Sequence, residues 1–307
     1  MITARELGLV ERRLKEAVAS QVDVLSVASE HIIGSGGKRL RPKLVLLSFK
    51  AAGGQDTAEA LSVAVAVELL HTASLVHDDI NDCSDLRRGR ASVNARWGNG
   101  LALLIGDYVF VQLLNLIAGC DKRVIRVVSD CCTAIVEGET LQMIRLGDPL
   151  LSEADYLRIV ELKTARLFAA CATLGGIVAG ASPDCVDALA QYGLSLGMAF
   201  QIRDDVLDVI GNQEELGKPV DSDLSQGKMS LATIHAMRQS AKAESDAVAT
   251  GLPTETDLLV NTGALEYATQ TAKAYASQAH RALAELPESQ ARQELFDLAD
   301  YAVARFS

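Results

Sequence analysis

Aromatic residues make up only 4% of this 307-residue chain. Runs that alternate apolar and polar residues are scarce as well, which argues against a β-sandwich or barrel. Only six prolines occur and none are clustered. With no low-complexity stretch or repeat either, there is no linker, and a single domain over residues 1–307 is expected. The six cysteines contain no Cys-x-x-Cys; Cys131 and Cys132 are adjacent and the others scattered. That indicates neither a zinc site nor a disulfide framework, but reduced core residues. Met1-Ile2-Thr3-Ala4-Arg5-Glu6 lacks the apolar run of a signal peptide. The longest apolar stretch, Leu101 to Gly119, is broken by Asp107, Gln112 and Asn115, so it is not read as a membrane span. A cytoplasmic location is expected. Positive charge is in deficit, 29 Lys and Arg against 40 Asp and Glu for a net charge of -11, which disfavours nucleic acid as a partner.

What the chain does have is helical pattern almost throughout. Leu61 to Asp82, Leu101 to Ala118, Ala165 to Ala179 and Leu189 to Val209 are apolar on most faces and are expected in the middle of a bundle. Arg5 to Ala19 and Asn261 to Leu283 are amphipathic or polar and are expected outside. Loops are expected at Gly34 to Gly37, Ala52 to Gln55, Gly147 to Pro149 and Ala181 to Pro183. The polar stretch Gly211 to Gln226 has the length of a lid.

Two aspartate clusters of one design stand out inside these patterns: Asp78-Asp79-Ile80-Asn81-Asp82 and Asp204-Asp205-Val206-Leu207-Asp208. A carboxylate taken out of water must protonate, pair or bind metal. Residues four apart share a helix face, so Asp78 with Asp82, and Asp204 with Asp208, each present two oxygen donors to one volume. Hard oxygen ligands so arranged suit Mg2+ shared with substrate phosphates. A solvated acidic face would explain one such cluster, but two of matching spacing in the same apolar context are hard to assign to solvation.

Basic residues are concentrated around the first cluster. Arg87-Arg88-Gly89-Arg90 follows it, and Gly34-Ser35-Gly36-Gly37-Lys38-Arg39-Leu40-Arg41-Pro42 lies upstream. Glycines allow close backbone approach, and Lys and Arg supply charge and bidentate donors for phosphate oxygens. No Walker-type loop is present. No nucleophile with an adjacent base appears, so the chemistry expected is electrostatic.

Gly36-Gly37-Lys38-Arg39-Leu40-Arg41-Pro42, His71-Thr72-Ala73-Ser74-Leu75-Val76-His77-Asp78-Asp79, and Asp82 with Arg87-Arg88-Gly89 resemble the first half of a trans-isoprenyl diphosphate synthase. Lys163-Thr164-Ala165, Phe200-Gln201-Ile202-Arg203-Asp204-Asp205-Val206-Leu207-Asp208, Gly217-Lys218-Pro219, Asp223 and Gly227-Lys228 follow in that family's order. The resemblance implies an all-α, single-domain helical bundle with a central cavity, the isoprenoid synthase fold. It implies condensation of isopentenyl diphosphate with an allylic prenyl diphosphate, and three Mg2+ ions clamped between the two aspartate helices. Asp78, Asp82, Asp204 and Asp208 resemble direct ligands, with Asp79 and Asp205 as ligands or their partners. Arg87, Lys163, Lys218 and Lys228 match residues that grip the allylic diphosphate, with Thr164 and Gln201 lining the same site. Lys38, Arg41, His71 and Arg88 match the isopentenyl diphosphate site. Arg39, His77, Asp85 and Arg90 are assigned to pairing or surface roles.

In that family bulky residues four and five places before the first aspartate stop elongation. Here those places hold Ser74 and Ala73, and Leu70 and Val67 lie deeper, so a product longer than C20 is expected, which would partition into a membrane. The resemblance also implies a homodimer, or a heteromer with a subunit lacking the motifs. The alternatives weighed are a short-chain farnesyl or geranylgeranyl diphosphate synthase, a terpene cyclase, whose second metal motif would be an Asn/Ser/Glu pattern, and a His-Asp metal phosphohydrolase suggested by His77-Asp78.

Overall fold

The structure, a computed structural model, describes residues 4–210, 227–243, 259 and 262–304. The expected lid at 211–226, with Lys218 and Asp223, lies outside the described residues. Helices α1 (Ala4–Ala17), α2 (Asp23–Ile33), α3 (Leu40–Ala51) and α4 (Thr57–Asn81) come first. After a short β-ribbon follow α5 (Val93–Trp97), α6 (Asn99–Ile117), α7 (Lys122–Ile144) and α8 (Glu153–Val160). A π-helical turn (Glu161–Ala165) leads into α9 (Arg166–Val178) and α10 (Pro183–Ile210). Helices α11 (Leu231–Ala243), α12 (Ala264–Leu283) and α13 (Gln290–Tyr301) complete the described bundle.

Helix α4 is central because it is apolar on every face. Val63, Ala64, Val65, Ala66 and Val67 are buried in succession, and Asp56 starts the helix by accepting from the Ala58 amide at 3.0 Å. Helix α10 packs tightly on α9 and the π-turn through small residues. A Cβ at Gly193 would lie 2.5 Å from the Phe168 carbonyl oxygen, and one at Gly197 would lie 2.6 Å from the Ala165 Cα. Glycines four apart on one face thus bring the second aspartate helix against the turn that carries Lys163 and Thr164.

One expectation is corrected. Helix α6 is not in the middle of the bundle: only 33% of its most apolar stretch is buried, and Leu104 is 57% exposed, with Leu103, Val111 and Leu114 also outward. It reads as apolar all round because the face turned away from the bundle is apolar too. Arg87 and Arg88 lie on the short β-ribbon that follows α4. Leu86–Arg87 pairs antiparallel with Arg90–Ala91, and Arg88 and Gly89 make the turn with φ of 53° and 72°. Positive φ at both central residues suits the strand twist of a two-residue hairpin.

Candidate active site

Asp78 lies in the last turn of α4 and Asp82 closes that helix, its amide bonding the Asp78 carbonyl at 2.8 Å. Burial pushes the Asp78 carboxyl up to about 6 against the pull of Lys163, and Glu139 and Asp82 add to the rise. The Lys228 ammonium donates to Asp82 Oδ2 at 2.7 Å. Asp79 is turned inward, 3% exposed, and is held by the Arg87 guanidinium, whose Nε donates to Oδ1 at 2.9 Å. Burial raises the Asp79 carboxyl despite that partner.

The π-turn joins this cluster to the second one. Such a bulge admits one extra residue per turn and re-aims the side chains on it. Lys163 Nζ lies 3.9 Å from Asp78 Oδ1, donates to Gln142 Oε1 at 2.7 Å and is ion-paired with Glu139. Burial opposes the Lys163 charge, but Asp78 and Glu139 prevail and hold its pKa above the ordinary lysine value. Next along the turn, the Thr164 hydroxyl donates to Gln201 Oε1 at 2.9 Å. The Gln201 amide donates to Asp205 Oδ1 at 2.7 Å, and the Tyr156 hydroxyl donates to Asp205 Oδ2 at 2.5 Å. Asp205 therefore repeats the part of Asp79, the second residue of its cluster anchored by the protein. Asp204 remains partly exposed, with Arg203 Nη2 at 2.7 Å, and Asp208 is buried.

Glu139, Gln142 and Tyr156 were missed in the sequence. Glu139 and Gln142 sit three apart on α7, so they share a face, and a polar pair on the apolar side of a helix was the available signal. Tyr156 carried none.

The arginines of the two basic segments gather around His71 of the first aspartate helix. Burial lowers the Arg41 pKa against the fields of Glu68 and Asp204, its Nε has no hydrogen-bond partner among the described residues, and the Phe168 ring lies 5.2 Å from its Cζ. Burial, then the charges of Arg41, Arg88, Arg87 and Arg39, push the His71 imidazole well below its ordinary value, so it is neutral at pH 7. The Arg88 guanidinium donates to the Gly36 carbonyl, and a Cβ at Gly37 would lie 2.5 Å from it. The close approach that these glycines allow is therefore made by the protein's own arginine. Lys38 is exposed beside them, its ammonium on the Tyr301 hydroxyl. Arg39 has the pairing role expected of it, with Nη1 2.7 Å from Glu68 Oε1 and Nε 2.5 Å from Glu11 Oε1. His77 faces Asp107 at 3.4 Å, away from the aspartate set.

Of the candidate chain-length residues, Ala73, Leu70 and Val67 are buried in the main apolar core, and Ser74 is half-buried with its hydroxyl on the His71 carbonyl at 2.9 Å. Among the described residues no three carboxylate, histidine or cysteine side chains converge to hold a metal by themselves. The donors still fit Mg2+, which keeps water and takes oxygens from a substrate diphosphate instead of needing an all-protein cage. Two cations of the protein, Lys163 and Lys228, stand against the same carboxylates.

The profile of the family described as polyprenyl synthetase matches residues 22–258. The chain belongs to the polyprenyl synthetase family. It is accordingly a prenyltransferase that elongates isoprenyl chains, with the all-α isoprenoid synthase fold. The chain is 36% identical to the octaprenyl diphosphate synthase of Escherichia coli (strain K12), covering 99% of this chain and 97% of that one. It is 38% identical to the short chain isoprenyl diphosphate synthase of Methanothermobacter thermautotrophicus, with 97% and 95% covered. Its fold superposes with a TM-score of 0.91, at 36% identity and 99% and 95% coverage, on the polyprenyl synthase from Caulobacter crescentus CB15 complexed with calcium and isoprenyl diphosphate. Family membership sets aside the terpene cyclase and the His-Asp phosphohydrolase.

Proposed function

We propose that this polyprenyl synthetase family member condenses isopentenyl diphosphate with an allylic prenyl diphosphate, using Mg2+, to make an all-trans polyprenyl diphosphate longer than C20. The observation that carries the reading is the π-turn whose Lys163 reaches Asp78 while its Thr164 binds Gln201 beside Asp205. One short segment thereby serves both aspartate clusters. Asp78, Asp82, Asp204 and Asp208 are the proposed metal ligands, and Asp79 and Asp205 keep the clusters oriented. Mg2+, when bound, supplies Lewis-acid stabilisation of the departing diphosphate. Arg87, Lys163, Lys218 and Lys228, with Thr164 and Gln201, hold the allylic diphosphate and favour the charge that develops as its C–O bond breaks. Lys38, Arg41 and Arg88 hold isopentenyl diphosphate, and His71 adds a hydrogen-bonding group without adding to their mutual repulsion. The double bond of isopentenyl diphosphate attacks the allylic cation, and the released diphosphate takes the proton whose loss forms the new double bond.

Product length rests on Ala73 and Ser74, since identity to an octaprenyl and to a short-chain synthase is nearly equal, 36% and 38%. Small residues there leave the channel without an early floor. The exposed apolar face of α6, with Leu103, Leu104, Val111 and Leu114, supports a homodimer, because a contiguous apolar patch of that kind calls for a partner surface. Labelled isopentenyl diphosphate incubated with each allylic primer and Mg2+, followed by chromatography of the dephosphorylated products, tests the reading. Elongated prenols longer than C20 support it. Products that stop at C15 or C20 would refute the long-chain assignment, and absence of any condensation would refute the reaction.

A further inference from the structure

We propose that Tyr301, the last residue of α13, is a positioning residue that couples the two substrate sites: it orients Lys38 through its hydroxyl and ring, and steadies Asp204 through Arg203. The inference rests on the assignment of Lys38 to isopentenyl diphosphate.

Lys38 lies between Gly37, with φ of 141°, and Arg39, and its side chain is exposed. A long exposed lysine loses much rotamer freedom when it must meet a ligand at one place, so any group that holds it beforehand lowers the cost of binding. Tyr301, 263 residues away in the chain, is that group. Its hydroxyl accepts from the Lys38 ammonium, and its ring centroid lies 5.1 Å from Nζ, within cation–π range. A carboxylate in the same place would cancel the charge that a diphosphate needs. A phenol orients the ammonium and leaves the charge available.

Tyr301 also meets the second cluster, through its ring and its carbonyl. Arg203, buried next to Asp204, has its guanidinium between the Phe200 ring at 4.8 Å and the Tyr301 ring at 5.6 Å. Its Nη1 donates to the Tyr301 carbonyl at 3.1 Å and its Nη2 to Asp204 Oδ1 at 2.7 Å. The helix that carries Tyr301 is itself fixed. Leu295 and Ala299 are fully buried, and the Tyr192 hydroxyl of α10 donates to the Leu295 carbonyl at 2.7 Å. A displacement of Tyr301 would therefore be felt at Lys38 and at Asp204 together.

The test is steady-state kinetics of the full-length enzyme with Tyr301→Phe, Tyr301→Ala, Lys38→Ala and the Tyr301→Phe/Lys38→Ala double variant, with thermal melts beside them. Tyr301→Phe should raise KM for isopentenyl diphosphate roughly fivefold, the scale of one ordinary side-chain hydrogen bond at an exposed position, with kcat and the allylic KM unchanged. It keeps the ring and carbonyl, so its Mg2+ half-saturation should match wild type. Tyr301→Ala should raise KM for isopentenyl diphosphate further and raise the Mg2+ half-saturation as well. Because hydroxyl and ammonium act as one unit, the double variant should be no worse than Lys38→Ala alone. Wild-type KM for isopentenyl diphosphate in Tyr301→Phe, or additive effects in the double variant, would overturn the coupling while leaving the Lys38 assignment standing. An unchanged KM in Lys38→Ala would remove that assignment and the coupling with it. Should Tyr301→Ala melt early, Tyr301→Phe and the double variant decide alone.

Discussion

Lys228 Nζ lies 2.7 Å from Asp82 Oδ2, although 146 residues separate them in the chain. Both side chains are more than four-fifths buried, at 15% and 18% exposure, so each would be costly to leave without an opposite charge. On the proposed assignment, the ammonium neutralises a metal-binding carboxylate until a diphosphate arrives. Lys228→Ala should therefore weaken allylic diphosphate binding by about 1.5–3 kcal/mol while leaving Mg2+ binding in the absence of substrate equal or tighter, since a competing cation is gone. Calorimetric titration of each ligand separates the two effects. Weaker binding of both would mean that Lys228 supports the fold of the site instead of competing at it.

The Asp78 carboxyl, raised from 3.8 to about 6, makes a second prediction in the metal-free protein. A raised carboxylate pKa means that the folded state holds its proton more tightly than the unfolded chain. The group's contribution to stability is then greatest below about pH 4 and is lost as pH rises to about 6. Asp78→Asn removes that burden. In chelator, the variant should be more stable than wild type at pH 8 by about 1–3 kcal/mol and equal to it near pH 4. Its turnover with Mg2+ should nonetheless fall on the order of 10²–10³-fold. Melting curves at the two pH values provide the check, and a variant less stable at pH 8 would show that Lys163 fully compensates the charge.

Exposed leucines on α6 give a third. Leu104 is 57% exposed in the single chain. Light scattering of the wild type should give a mass near twice 32.7 kDa. Leu104→Glu should shift that mass toward the monomer, because a charge buried in an apolar interface has no partner. A wild-type monomer that is active at assay concentration would contradict the dimer.

Ala73 tests the product-length reading. It is 2% exposed in the main core, just over one turn before Asp78. If it lines the path of the growing chain, Ala73→Phe should shift products to shorter chains and leave the first condensation fast. If it is only core, overpacking should cost about 1–3 kcal/mol and lower the melting temperature instead. A variant with wild-type stability and wild-type products would remove Ala73 from the channel.

The two aspartate clusters, the helices that carry them and the basic segments were legible because their signals are local. Spacing of four along a helix puts Asp78 over Asp82 whatever the rest of the chain does. The outward apolar face of α6 was not legible, since periodicity reports how many faces are apolar and not which neighbour covers them. Nor was the hairpin that turns Arg87 inward to Asp79, which depends on a positive φ at Arg88 that non-glycine residues seldom adopt. Glu139, Gln142 and Tyr156 entered the site only through packing. Lys163 reaches Asp78 because a π-turn interrupts the helix and because Gly193 and Gly197 let α10 close on α9 and that turn. The sequence by itself determined which residues bear charge and where paired carboxylate oxygens recur at helical spacing. Tertiary structure decided which of them meet, because Coulomb and hydrogen-bond energies depend on separations across dozens to hundreds of residues that no local pattern encodes.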